Sequence, residues 1–264
     1  MTSKLYAIVI GAGPGTGRAS AIRFSKAYPV VLLARSSQSY EATVKEINGA
    51  GGKAIGVNAD TSSVESLTAA FDTIKKELPD HKLAAAVFNP SSRPSFKPFV
   101  ELKAEDLENN IDVSIRGFFH FAQKTLPLLE EAVPTSKYPP TLIVTGATAS
   151  VRGSANFAAF AAGKRAKRGL TQSIAREYQP KGVHVAHAII DGVIDIPRTE
   201  HYEVNGGVED GKISPDSVSS PFLRGEYGRD ANIAKIAETY WNLHTQHRSG
   251  LTWEVDIRPF VEKW

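Results

Sequence analysis

Three glycines and an arginine carry the most specific chemistry of this sequence. Gly11, Gly15 and Gly17 punctuate the stretch G-A-G-P-G-T-G, with Thr16 between the last two. The apolar residues 5–10 precede it and a helix-like segment R-A-S-A-I-R-F-S follows. Strand, tight turn and helix in that order suit a pyrophosphate. Glycines admit close backbone approach, and free N–H groups at the helix start attract the negative charge. A second apolar run, residues 29–34, ends in Arg35-Ser36. An acidic residue at such a place grips a ribose 2′-hydroxyl, whereas an arginine accommodates a 2′-phosphate. Arg35 and Ser36 therefore predict NADPH/NADP rather than NAD(H).

Positioning such a turn requires alternating strands and helices, and the chain supplies them. Residues 40–50 read as a helix closed by Gly49, Gly51 and Gly52, and 54–57 as the third strand. A helix over 64–78 and a fourth strand over 84–88 follow, the latter running into Asn89-Pro90-Ser91-Ser92. One long amphipathic helix is predicted over 104–131, a buried strand over 141–145, and another long helix over 155–178. The next strand is 183–190, a helix spans 233–244, and 251–256 closes the sheet. This alternation predicts an α/β fold with a parallel sheet covered by helices on both faces. Residues 191–228 are rich in Gly, Pro, Ser and charge, which predicts a lid or substrate loop inserted in one domain spanning 1–264.

Composition narrows the function classes. With 42% hydrophobic and 22% charged residues over 264, the chain matches a globular protein able to bury a large core. A net charge of +3 gives no reason to expect nucleic acid or an acidic membrane as partner. There is no cysteine, which removes disulfides, thiolate metal sites and cysteine nucleophiles. No apolar run approaches the ~20 residues of a membrane span, so a cytoplasmic protein is the default expectation. His184 and His187 alternate with apolar residues on a strand, where one could approach the site but satisfied structural histidines are more common, and no His/Asp/Glu set has metal-ligand spacing. Arg165, Lys167 and Arg168 around Lys164 read as a solvated or subunit-facing surface. Arg18 is either a second 2′-phosphate ligand or an ordinary surface arginine. Trp241, Trp253 and Trp264 read as residues that pack the C-terminal edge or a subunit contact.

Over nearly its whole length the chain resembles the short-chain dehydrogenase/reductase family. Gly11, Gly15 and Gly17 match the family's Gly-x-x-x-Gly-x-Gly spacing, and Asn89 keeps one asparagine of its Asn-Asn-Ala-Gly turn. The resemblance implies a Rossmann-like doubly wound sheet and a nicotinamide cofactor. It places Asp60, followed by Thr61, beside the adenine, and Gly192 with Val193 and Ile194 at the nicotinamide amide. Helices 104–131 and 155–178 are those such proteins use for homodimer or homotetramer contacts. Arg152 and Asn156 lie where such proteins meet substrate.

The catalytic positions depart from the family. Its Tyr-x-x-x-Lys pair corresponds to Phe160-Ala161-Ala162-Gly163-Lys164, so the lysine is kept and the phenol is missing. Its serine falls on Ala147, with Thr148 one residue on, and its asparagine falls on Ser114. Ketone reduction leaves negative charge on oxygen and needs a donor and a proton. Three readings therefore stand. A reductase of an iminium or another activated acceptor needs little acid, and an apolar wall of Phe160 and Ala147 suits it. A carbonyl reductase would need a substitute acid: Asp191, Thr148, Ser150, Tyr202 or Tyr227. Against this, the general preference of Asp for turns and caps favours reading Asp191-Gly192 as a turn and Asp195 as the cap of a helix containing Pro197. The third reading is an NADP(H)-binding sensor or scaffold without turnover.

Overall fold

The computed structural model describes residues 4–213 and 235–263. Seven strands form one parallel sheet: β1 (Lys4–Ile10), β2 (Val30–Ala34), β3 (Ala54–Asn58), β4 (His81–Phe88), β5 (Thr141–Thr145), β6 (His184–Ile190) and β7 (Glu254–Ile257). Their order across the sheet is β3-β2-β1-β4-β5-β6-β7. The order reverses between β1 and β4, which opens a crevice beyond their carboxyl ends where ligands bind in such folds.

Near-continuous apolar strands supply both faces, as a sheet buried on two sides requires. Ile8, Ile10, Leu33, Phe88, Val144 and Val185 point to one face. There they meet α3 (Val64–Glu77), α5 (Gly117–Ala132) and α6 (Ala158–Tyr178). Val9, Leu32, Val87, Ile143 and Ala188 point to the other, against α1 (Thr16–Ser25), α2 (Glu41–Gly49) and α7 (Lys235–His244). The sheet is thus doubly wound. Trp241 packs edge-on against Phe24 at 5.4 Å, and Trp253 stacks on His187, so both serve as packing residues. Trp264 lies outside the described residues.

The single helix expected over 104–131 is in fact three pieces. α4 (Ala104–Asn110) gives way to a π-helical turn, Ile111–Arg116, before α5 begins. Apolar periodicity survives one inserted residue in a helix, so the sequence pattern conceals the change of pitch. The π turn brings Ser114 against α6: a Cβ added to Gly163 would lie 3.3 Å from that of Ser114. Such bulges concentrate at functional sites.

Candidate active site

The glycine turn is built for close approach. Gly11 adopts φ +79°, a conformation that favours glycine, and a Cβ there would stand 2.8 Å from the Pro90 nitrogen. A Cβ on Gly17 would stand 2.7 Å from the Ala12 Cα, so the helix can start this near the strand only with glycine. Asn89 Nδ2 donates to the Gly11 carbonyl at 2.9 Å and ties the end of β4 to the turn. Gly15 precedes α1 without a side-chain cap, which leaves the first N–H groups of the helix available. Thr16 is buried and its hydroxyl has no protein partner. Arg35 and Ser36 are exposed just past β2. Arg18 instead pairs with Glu46 at 2.8 Å.

Asp60 folds its carboxylate onto Ser62, accepting from the backbone N–H at 3.0 Å and from the hydroxyl at 2.7 Å. Thr61 is buried, and a Cβ on Gly117 would touch its hydroxyl at 2.8 Å. Beyond β6, Gly192 leads to an isolated parallel bridge between Ile194 and Ile213. Ile194 packs against the sheet, and the Ile196 side chain covers Gly15. This segment therefore borders the glycine turn.

At the carboxyl ends of β5 and β6 lies a hydroxyl–carboxylate–guanidinium chain. Thr148 donates its hydroxyl to Asp191 Oδ1, and Arg258 holds Asp191 Oδ2 at 3.0 Å. Arg258 also pairs with Asp256 at 2.6 Å. Both oxygens of Asp191 thus face donors, the arrangement of an acceptor rather than of an acid. The turn reading of Asp191-Gly192 survives, but Asp195 is no cap. Ile196 precedes the short turn Pro197–Thr199, and the Asp195 carboxylate is exposed, 3.9 Å from Lys212. Ser150 donates to the Ala147 carbonyl at 2.7 Å, so its proton is committed.

Phe160 opens a file of rings. It meets Phe157 edge-on at 6.3 Å, and Phe157 meets Phe96 at 4.8 Å. Phe96 and Phe157 were not foreseen, because single aromatics in loops carry no spacing signal. Ala147 precedes the Thr148–Ser150 turn. Arg152 and Asn156 are exposed, with Arg152 reaching the Lys263 carbonyl at 3.4 Å and Asn156 held at φ +66°. Tyr202 is also exposed, its ring tilted against that of His201 at 4.4 Å, while Tyr227 lies outside the described residues.

Lys164 is 3% exposed, its Nζ 5.1 Å from the Phe160 ring centre. Burial pushes its ammonium down to about 8, with Lys167 opposing the shift. Lys167 is not solvated, contrary to the sequence reading. It is fully buried, and its Nζ has no acceptor. Burial first, and then the Lys164 charge, push Lys167 well below the usual lysine range. The Phe88 ring, 5.4 Å away, would return only ~1 kcal/mol to an ammonium. Burying an unpaired charge costs several, so burial wins. The signal was present in the sequence: positions three apart share a helix face. Ser114 is likewise buried with an unpartnered hydroxyl.

His187 and His184 are structural, as read. His187 Nδ1 bonds Glu254 at 2.9 Å, and burial lowers its pKa to about 4. His184 lies between the Leu243 and Thr252 carbonyls at 3.0 and 2.9 Å. Arg168 grips Glu254 from the same side with bonds of 2.6 and 2.8 Å. Among the described residues no His/Cys/Asp/Glu group could hold a metal, and no helix is long and apolar enough to cross a membrane.

Comparison with known proteins agrees with this geometry. The family described as short chain dehydrogenase matches residues 5–203. A 3beta-hydroxysteroid dehydrogenase of Mediterraneibacter gnavus is 30% identical over 194 residues, 73% of this chain and 67% of that protein. A solved short-chain dehydrogenase from Rhodopseudomonas palustris superposes with a TM-score of 0.74 at 27% identity, covering 97% of this chain and 99% of its own. An alcohol dehydrogenase from the archaeon Thermococcus sibiricus, solved with 5-hydroxy-NADP, shares the fold at TM-score 0.77 and 20% identity, with 98% of each chain covered.

Proposed function

This chain belongs to the short-chain dehydrogenase family of oxidoreductases, and we propose that it is an NADPH-dependent reductase of a specialised small molecule with an activated acceptor. The observation that carries this reading is Lys164, buried at the site beside Phe160, where no phenol is available.

The residues present fit a nicotinamide dinucleotide. The close Gly11–Gly17 turn and the uncapped start of α1 suit a pyrophosphate, with the Thr16 hydroxyl free to join it. Arg35 and Ser36 would face the 2′-phosphate, Asp60 and Thr61 the adenine, Asn89 and Lys164 the nicotinamide ribose, and Gly192 with Ile194 the carboxamide. When bound, the cofactor supplies a hydride. Phe160, Ala147 and the Phe157 ring would form the acceptor's wall, with Arg152, Asn156 and Tyr202 at its mouth and residues 191–213 as part of a lid.

The acceptor's chemistry follows from the donors. The Thr148 proton is directed to Asp191, whose oxygens are both engaged. The pole built by these two residues accepts rather than donates. An iminium or a conjugated, pre-protonated electrophile fits it, because hydride addition to a cationic acceptor cancels positive charge there instead of creating an oxyanion. The Ser114 hydroxyl has no partner and is a neutral donor still available.

The test is incubation with NADPH deuterated on the transferable hydrogen and a panel of cyclic imines, enones, quinones and ketones, read by mass spectrometry. Label on an imine or enone carbon is the expected result. NADPH binding with no label in any product would favour a sensor or scaffold instead. We also propose a homodimer or homotetramer, supported by exposed Leu107 and Phe119 on α4 and α5. Sedimentation showing only monomer would reject it.

A further inference from the structure

Phe157 and Phe160 stand three residues apart at the start of α6 and share one face of it. Asn156, held in the left-handed region at φ +66°, turns the chain into the helix, and the Phe157 carbonyl accepts the Ala161 N–H at 2.8 Å. Both rings are half-buried, their centres 6.3 Å apart and their planes inclined at 66°. Phe96, from the loop after β4, meets Phe157 at 4.8 Å and 89°. It stays 59% exposed, although burying a phenylalanine is favourable. Its two neighbours account for that position. Ser95 donates to Asp106 Oδ1 at 2.7 Å and Lys97 to Oδ2 at 2.9 Å, while the Lys103 N–H donates to the same carboxylate at 3.0 Å. One carboxylate at the start of α4 therefore pins both flanks of Phe96 and keeps its ring exposed beside Phe157.

The rings of Phe96 and Phe157 thus form two walls of a corner at right angles, and Phe160 continues the file inward to within 5.1 Å of Lys164 Nζ. A third flat ring fits such a corner by stacking offset on one wall and meeting the other edge-on, the two arrangements that aromatic pairs prefer. A saturated ring of the same size gains the burial but not the quadrupole contact. None of the three side chains carries a charge or a hydrogen-bonding group, so the body they receive is apolar. We propose that the acceptor bears an aromatic ring seated in the corner of Phe96 and Phe157, with its reacting carbon against Phe160. This names the substrate class of the reductase reading and rests on it. With a cyclic iminium as the reacting group, carbon gains the hydride that the cofactor supplies, and the C=N π pair returns to nitrogen and neutralises it. No proton is drawn from the protein, in keeping with an apolar wall.

The experiment compares two imines that differ only in the ring, 2-benzyl-1-pyrroline and 2-(cyclohexylmethyl)-1-pyrroline. A methylene separates the ring from C=N in both, so their electrophilic carbons match. With the full chain and NADPH, kcat/KM should favour the benzyl compound by about tenfold, the worth of two ring contacts. Calorimetry of the matching amines, 2-benzylpyrrolidine and 2-(cyclohexylmethyl)pyrrolidine, on the NADPH-loaded protein should show the same preference without turnover. Phe96→Leu and Phe157→Leu keep an apolar side chain and remove the π face, and each should bring both ratios to within about threefold of unity. A merely structural role for either ring would weaken the two compounds alike and leave the ratios unmoved. Phe96 is exposed, so its variant decides should Phe157→Leu not fold. Imines reduced without an aryl preference, or with one that the variants keep, overturn the proposal and leave the reductase reading standing. A variant-sensitive preference in amine binding, with neither imine reduced, upholds the aromatic corner and rejects the reductase reading. Neither turnover nor amine binding overturns both.

Discussion

Asp191 takes the Thr148 hydroxyl on one oxygen and the Arg258 guanidinium on the other. A carboxylate so engaged holds its neighbours in place. Asp191→Asn keeps an acceptor for Thr148 but loses the ion pair with Arg258, whose pairing with Asp256 prevents it from being stranded. The expected outcome is a lower urea midpoint with kcat reduced less than tenfold. Asp191→Leu, which also releases Thr148, should lose at least tenfold more. Equal and severe losses in both variants would assign Asp191 a direct chemical role.

Phe160 is where a single hydroxyl would change the reaction. Its ring lies 5.1 Å from the Lys164 ammonium, so a phenol there would be stabilised as a proton donor by the adjacent cation. Phe160→Tyr should raise the rate on simple ketones by roughly a hundredfold, the lower range of general acid catalysis, while rates on imines change little. Steady-state rates on a matched ketone and imine pair would show it. No gain on any ketone would mean that the acceptor lies elsewhere than against Phe160.

Much of the fold was legible because a sheet buried on both faces leaves continuous apolar runs. β5 was read to the residue, and β4 begins three residues early, at His81, only because its polar start still pairs with β1. The glycine turn was legible because its contacts exclude any side chain. The π turn at Ile111–Arg116 was hidden, since helical spacing looks the same on both sides of it. Lys167 was misread because a run of basic residues resembles a wet surface, and only its spacing from Lys164 contradicts that. Arg258 carried no signal, because its partner Asp191 lies 67 positions away and pairs through the fold alone.

Arg35 stands exposed past β2, beside the glycine turn. An exposed arginine on a phosphate contributes a charge-assisted bond weakened by solvent and salt. Arg35→Ala should raise the Kd for NADPH about tenfold, near 1.4 kcal/mol, and leave NADH binding unchanged. The difference should shrink at high salt. Titration calorimetry with both cofactors checks this, and equal losses for the two would remove the 2′-phosphate assignment.

The buried histidines make stability depend on pH in a direction set by their environment. Burial lowers His187 to about 4 and His244 to about 3, the latter with His184 adding to the shift. Their folded values lie below the ordinary histidine value of about 6.5. The unfolded chain therefore takes up protons first as pH falls, and protonation favours unfolding. The contribution is whole above about pH 6.5 and is lost between there and pH 4 for His187, or pH 3 for His244. Each histidine removes up to about 1.4 kcal/mol per pH unit within its window. Urea midpoints between pH 7.5 and 4.5 should fall accordingly. His187→Gln keeps a donor for Glu254 and should flatten that slope by one histidine's share, at the expense of some stability at pH 7.5. An unchanged slope in this variant would mean that His187 already carries its proton in the folded protein, as an ion pair with Glu254.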